Sequence, residues 1–157
     1  MQYRIIIAIA LSLSLHACKY NAAKTLTKLE ANYILEVQSD PCLGTCAVYS
    51  LRINEKREMQ FKGERFCAFQ GDTVLTISNS DYLKLKGELV RQGLFSMDSV
   101  YDDPDMMDAP NYMIAVSDPL NKFETHQVRA RVGAPESFRN LKKEIGVLLV
   151  KYGLLRA

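Results

Sequence analysis

The side chains that could do chemistry in this 157-residue chain are four cysteines, two histidines and a run of aspartates. Cys42 and Cys46 stand three residues apart, with Gly44 between them and Pro41 in front. Pro41 fixes its own φ and pushes Asp40 toward an extended conformation. Gly44 is free to adopt positive φ, so the chain can reverse between the two thiols. Such a reversal can bring them within the Cα separation of roughly 4.4–6.8 Å that a disulfide needs. Three states stay open on this spacing: a structural disulfide, two reduced buried thiols, or a metal or redox site. A zinc site needs further ligands, for which Cys67 and His126 are available only at a distance in sequence. The C-x3-C spacing also differs from the C-x-x-C of redox dithiols.

Residues 93–121 carry six aspartates and no Lys, Arg or Glu. Asp98, Asp102, Asp103, Asp105 and Asp108 crowd together there, and oxygen-rich clusters suit calcium. Asp102, Asp103, Asp105 and Asp108 are the candidate metal ligands. Their spacing fits no EF-hand loop, and the competing reading is a solvated loop in which Asp108 caps a turn before Pro110. Met97, Met106, Met107 and Met113 cluster nearby. Thioethers with thiols can bind Cu(I), but methionines also serve simply as apolar filling. His126, on an alternating stretch beside Glu124 and Thr125, has no fixed partner in sequence and reads as structural. No Gly-rich phosphate loop, hydrolase elbow, HExxH or paired-carboxylate signature is present. No cofactor is therefore expected, and a binding role ranks ahead of an enzymatic one.

The elements that must position these groups follow from periodicity. Tyr33, Leu35 and Val37 alternate with polar neighbours and predict a first strand. Residues 46–54 predict a second, with Tyr49, Leu51 and Ile53 on one face and Ser50 and Arg52 on the other. Asn54 to Arg57 turn the chain into a partner strand carrying Met59 and Phe61, which Gly63 is expected to end. A further hairpin about Gln70-Gly71-Asp72 is expected to join residues 65–69 to 73–78. Ser78 reads as an N-cap with Asp81 three positions on. Tyr82, Leu85 and Leu89 share one helical face, and Gly93 reads as the stop. Residues 111–117 and 123–129 predict two more strands about the turn Asp118-Pro119-Leu120-Asn121. Pro135 opens a second helix, whose stripe is Phe138, Leu141, Ile145, Leu148 and Tyr152. Short hairpin connections imply antiparallel pairing. The expected fold is α+β: an antiparallel sheet of about five to seven strands with two helices, in the order strands, helix, strands, helix.

The N-terminus reads as a targeting segment. Arg4 precedes an apolar run, Ile5 to Leu15, too short to span a bilayer as a helix but suited to the core of a secretory signal. The run ends in Leu15-His16-Ala17-Cys18, which resembles the lipobox of bacterial lipoproteins. The resemblance implies that residues 1–17 are a signal peptide and that Cys18 is acylated. Two or three acyl chains hold a protein at a membrane durably, at about 0.8 kcal/mol per buried CH₂. Lys19 follows the cysteine, and by similarity to enterobacterial sorting this implies the outer rather than the inner membrane. Residues 18–31 are small and polar and read as a tether, leaving residues 32–157 as a single domain. With Cys18 acylated, three cysteines remain, so one is unpaired. Cys67, between Phe66 and Phe69, is the natural leftover, although its pairing with Cys42 or Cys46 stays open.

Pro41, Cys42, Gly44, Cys46 and Tyr49 together resemble a bacterial family of domains of unknown function. Its hallmark is Pro-Cys-x-Gly-x-Cys-Pro-x-Tyr, and most of its members are envelope lipoproteins and secreted proteins. Ala47 stands where the family tends to have proline. The similarity continues in the capped helix from Ser78, in Leu94-Phe95, in Asp108-Ala109-Pro110 and in Gly133-Ala134-Pro135, and covers roughly residues 33–152. It implies a fold and a location and no activity.

Charge narrows the partners. A net charge of +2 gives no basis for nucleic-acid binding, and no tryptophan is present to form a stacking platform. Residues 122–157 hold eight Lys or Arg against three Glu. Arg139, Lys142 and Lys143 on the polar side of the last helix are expected to be solvated, with the acidic loop, or a phosphorylated lipid or peptidoglycan surface, as the alternatives. The expectation is a lipid-anchored protein of the bacterial cell envelope, its domain in the periplasm or at the cell surface. It contacts the membrane through its N-terminal lipid and a partner protein through the domain. The alternative is a metal or small-ligand sensor built on Asp98–Asp108.

Overall fold

The structure, a computed structural model, describes residues 34–103, 105–106, 109–117 and 125–157. The elements run β1 (Ile34–Ser39), β2 (Val48–Ile53), β3 (Glu58–Arg65), β4 (Gly71–Thr76), α1 (Asn79–Arg91), a 3-10 turn (Leu94–Ser96), β5 (Val100–Tyr101), β6 (Tyr112–Ser117), β7 (Thr125–Ala130) and α2 (Glu136–Lys151). The seven strands form one sheet in the order β4-β3-β2-β1-β6-β7-β5. All pairings are antiparallel except β5 with β7. The fold is α+β, with strands before and after α1. Tyr33, Cys18, Asp108 and the turn at 118–121 lie outside the described residues.

Strand alternation sorts the sheet into two faces. Leu35, Val37, Leu51, Ile53, Met59, Phe61, Ile114 and Val128 all point to one face and are buried. Both helices lie on that face. Tyr82, Leu85 and Leu89 of α1 and Phe138, Leu141, Ile145, Leu148 and Leu149 of α2 close the core over it. On the other face Ser50, Arg52, Gln60, Lys62, Gln127 and Arg129 stand in solvent.

The helix boundaries follow their signals. The Ser78 hydroxyl accepts the Asp81 N–H at 3.1 Å, satisfying one of the free amides that every helix start leaves. Gly93, at φ 67°, takes the left-handed conformation that ends α1. Pro135 is the N-cap of α2.

Three expectations need correction. Gly63 does not end its strand: β3 runs through it to Arg65. A Cβ there would lie 2.2 Å from the Phe69 carbonyl oxygen and 2.9 Å from Phe61. The glycine thus admits a loop that folds back over the core face. Residues 65–69 accordingly do not form a separate strand; β3 itself pairs with β4, Gly63 opposite Gly71 and Glu58 opposite Thr76. Tyr152 is the C-cap of α2 rather than part of its apolar stripe, and its hydroxyl is used elsewhere. The two-residue β5 was not expected.

Candidate functional site

The Cys42–Cys46 corner connects β1 to β2. Pro41, Leu43, Gly44 and Thr45 are exposed, and Leu43 stands at 85% exposure at the tip. The two sulfurs stand at disulfide distance, 2.02 Å, with their Cα atoms 5.8 Å apart. The corner leads into β2 at Val48, and the Ser39 hydroxyl donates to the Ala47 carbonyl at 2.8 Å, tying both sides of the corner together. Cys67 is a free, buried thiol, donating to the Val48 carbonyl at 3.3 Å. Burial pushes its pKa up, the opposite of what a reactive thiol needs.

Behind the corner lies a feature that strand periodicity alone did not reveal. Tyr49 and Tyr112 both pair with Ser39, from opposite sides of β1. Serine is small, so the two phenols meet across it, their hydroxyls 3.0 Å apart in the core. Tyr49 stacks on Phe61 at 5.6 Å, and Tyr112 meets Phe138 edge-on at 6.2 Å. The Lys142 ammonium sits 4.6 Å from the centre of the Tyr112 ring, an attraction that sums with the ring's burial. Burial pushes the Tyr49 phenol up to about 12 and raises that of Tyr112 well above its ordinary value. Burial also lowers the Lys142 ammonium. Both phenols therefore stay protonated at ordinary pH and satisfy each other.

A second polar cluster joins the start of α1 to the end of α2. The Asp81 carboxylate accepts from Lys151 Nζ at 2.7 and 2.8 Å, from the Tyr152 hydroxyl at 2.9 Å and from the Ser78 hydroxyl at 2.7 Å. The Tyr152 oxygen in turn accepts the Ser78 N–H at 2.7 Å. In a capping box the residue at the third helical position returns to the N-cap amide; here a tyrosine from the other helix takes that amide. The Lys151 ammonium and the two hydroxyls hold the Asp81 carboxyl down to about 2.

The acidic loop is partly neutralised within the domain. Asp102 pairs with Arg131 Nε at 2.7 Å, so a basic partner comes from the C-terminal section, although not from the helix positions 139, 142 and 143. The Asp103 carboxylate accepts the Asp105 N–H at 3.0 Å, an Asx turn. Among the described residues, no three His, Cys, Asp or Glu side chains gather closely enough to hold a metal ion. Met97 is buried, Met113 half-buried and Met106 exposed. His126 lies with its ring 6.0 Å from that of Phe95. Arg139 donates to the Ala134 carbonyl at the start of α2.

The open face of the sheet carries polar side chains. Arg52 spans to Glu36 with Nη2 at 2.7 Å and Nε at 3.0 Å. Around that pair the face dips into a shallow concavity lined by Ser50, Gln60, Lys62, Asp72 and Val74.

Among the described residues, no helix is long and apolar enough to cross a membrane. Comparison with curated proteins finds no match. The sequence pattern of one family covers residues 33–149, from the first strand through most of α2. The chain belongs to that family, the domain of unknown function DUF6438.

Proposed function

We propose that this protein is a lipid-anchored component of the bacterial cell envelope whose domain is a non-catalytic interaction module. The observation that carries the location is the half-buried Cys42–Cys46 pair at disulfide distance, in a corner whose other residues are exposed. Disulfides persist in oxidising compartments and are rare where thiols are kept reduced. The pair agrees with the signal-like run before Cys18, and acyl chains on that cysteine would tether the domain through residues 18–31. The interaction role is supported by the division of the sheet into a helix-covered apolar face and an open polar face. The partner in this reading is another envelope protein, and outer-membrane residence follows from Lys19 after Cys18.

The test is fractionation of cells expressing the wild type and Cys18→Ser. The wild type should enter the detergent-rich phase and the membrane pellet. The variant should appear as an unprocessed precursor or in the soluble envelope fraction. Unchanged fractionation and unchanged gel mobility would reject the anchor. For the interaction role, a photo-crosslinking residue at Val74, on the open face, should trap an envelope protein in intact cells. The same probe at Leu83, on α1, should not. Equal or no trapping from the two positions would reject that role.

A further inference from the structure

The two edges of the sheet are built differently. At one edge β5 is two residues long and pairs parallel to β7. At the other, β4 is a full six-residue strand with β3 on one side and, among the described residues, no strand on the other. Natural sheets blunt a long free edge with Lys, Pro, a bulge or a covering segment, because its open amides and carbonyls template another strand. β4 has neither Lys nor Pro, and its register with β3 runs without a shift from Gly71 to Thr76. At its centre Val74 is 63% exposed. Among the described side chains of strands of six or more residues, it is the one large apolar group so exposed.

We infer that β4 pairs edge-to-edge with β4 of a second copy of this chain, antiparallel about Val74, joining two sheets into one. The sequence of the edge is complementary to itself in that arrangement. Val74 faces its counterpart across the two-fold axis, Thr73 faces Leu75, and Asp72, the only charge on the strand, faces Thr76. A parallel arrangement would set Asp72 against Asp72, which costs stability. A two-fold axis is also the commonest way for like chains to associate.

This inference names the partner for the interaction module proposed above, and it does not depend on the anchor. The experiment uses the full chain carrying Cys18→Ser, so that anchor and self-association are read separately. Light scattering after size exclusion should give twice the chain mass, and Val74→Lys should give the monomer with an unchanged circular-dichroism melt. In a second measurement, Val74→Cys should form an oxidant-induced covalent dimer, because residues facing across an antiparallel pair lie about 4.5–5.5 Å apart at Cβ. Gln60→Cys, on the neighbouring strand, should not, and neither should the parent chain with its buried Cys67. A monomeric parent chain, or cross-linking at 60 equal to that at 74, would overturn the inference. A monomer that is released from the membrane overturns this inference alone. A chain that stays membrane-bound without Cys18 overturns the anchor alone.

Discussion

Tyr49 and Tyr112 show how much rests on single atoms. Each hydroxyl is buried, and each is the partner of the other. Removing one leaves a buried polar group unsatisfied, which costs about 1–3 kcal/mol, whereas removing both leaves none. Tyr112→Phe should therefore lower stability in urea by that amount. Adding Tyr49→Phe should cost much less than a second such loss, and a double-mutant cycle measures the difference. Gly63 is the second sensitive residue. A methyl group there meets the Phe69 carbonyl at 2.2 Å, a backbone contact that no rotamer change relieves. Gly63→Ala should cost roughly 1–3 kcal/mol, read as a fall in the urea midpoint with an unchanged slope.

Among the elements, the two helices are coupled most tightly where α1 begins and α2 ends. Lys84 pairs with Glu144 at 2.8 Å along their length, but the pair is exposed and contributes little. The Asp81 cluster carries more of the coupling. The folded-state pKa of Asp81 is depressed to about 2, against ~3.9 for an unperturbed aspartate. Its contribution is therefore fully present above about pH 4 and is lost as pH falls through 2. Asp81→Asn should be less stable than the wild type at neutral pH. Its stability should also decline less between pH 4 and pH 2, as urea titrations at each pH would report.

The same elements show what a sequence yields. Alternation identified β2 because one face of it is buried and the other wet. Ser78, Gly93 and Pro135 marked helix ends because each answers a local need of the backbone. Gly63 misled because glycine serves both turns and close approaches, and only the distant Phe69 carbonyl decides between them. β5 is too short to have a period. The Tyr49–Tyr112 contact and the Tyr152 bond to Ser78 join residues far apart in the chain, so no local pattern encodes them. Of the site residues read from the sequence, Cys42 and Cys46 come together as the corner allows, and Asp102 is occupied by Arg131.

On the scale of the whole molecule, the sheet separates an apolar surface from a polar one. The apolar face is consumed by α1 and α2, whereas among the described residues nothing pairs with the outer edge of β4. An anchor at Cys18 would confine such a domain to one membrane and raise the encounter rate of like copies on it. A Cys42–Cys46 pair at disulfide distance agrees with an oxidising compartment. Intact mass spectrometry of the protein extracted from membranes, with and without reductant, tests the anchored, exported state most directly. The expected chain begins at Cys18, carries acyl groups, and gains two hydrogens on reduction. A chain that retains residues 1–17, lacks acyl groups and shows no change in mass on reduction would contradict it.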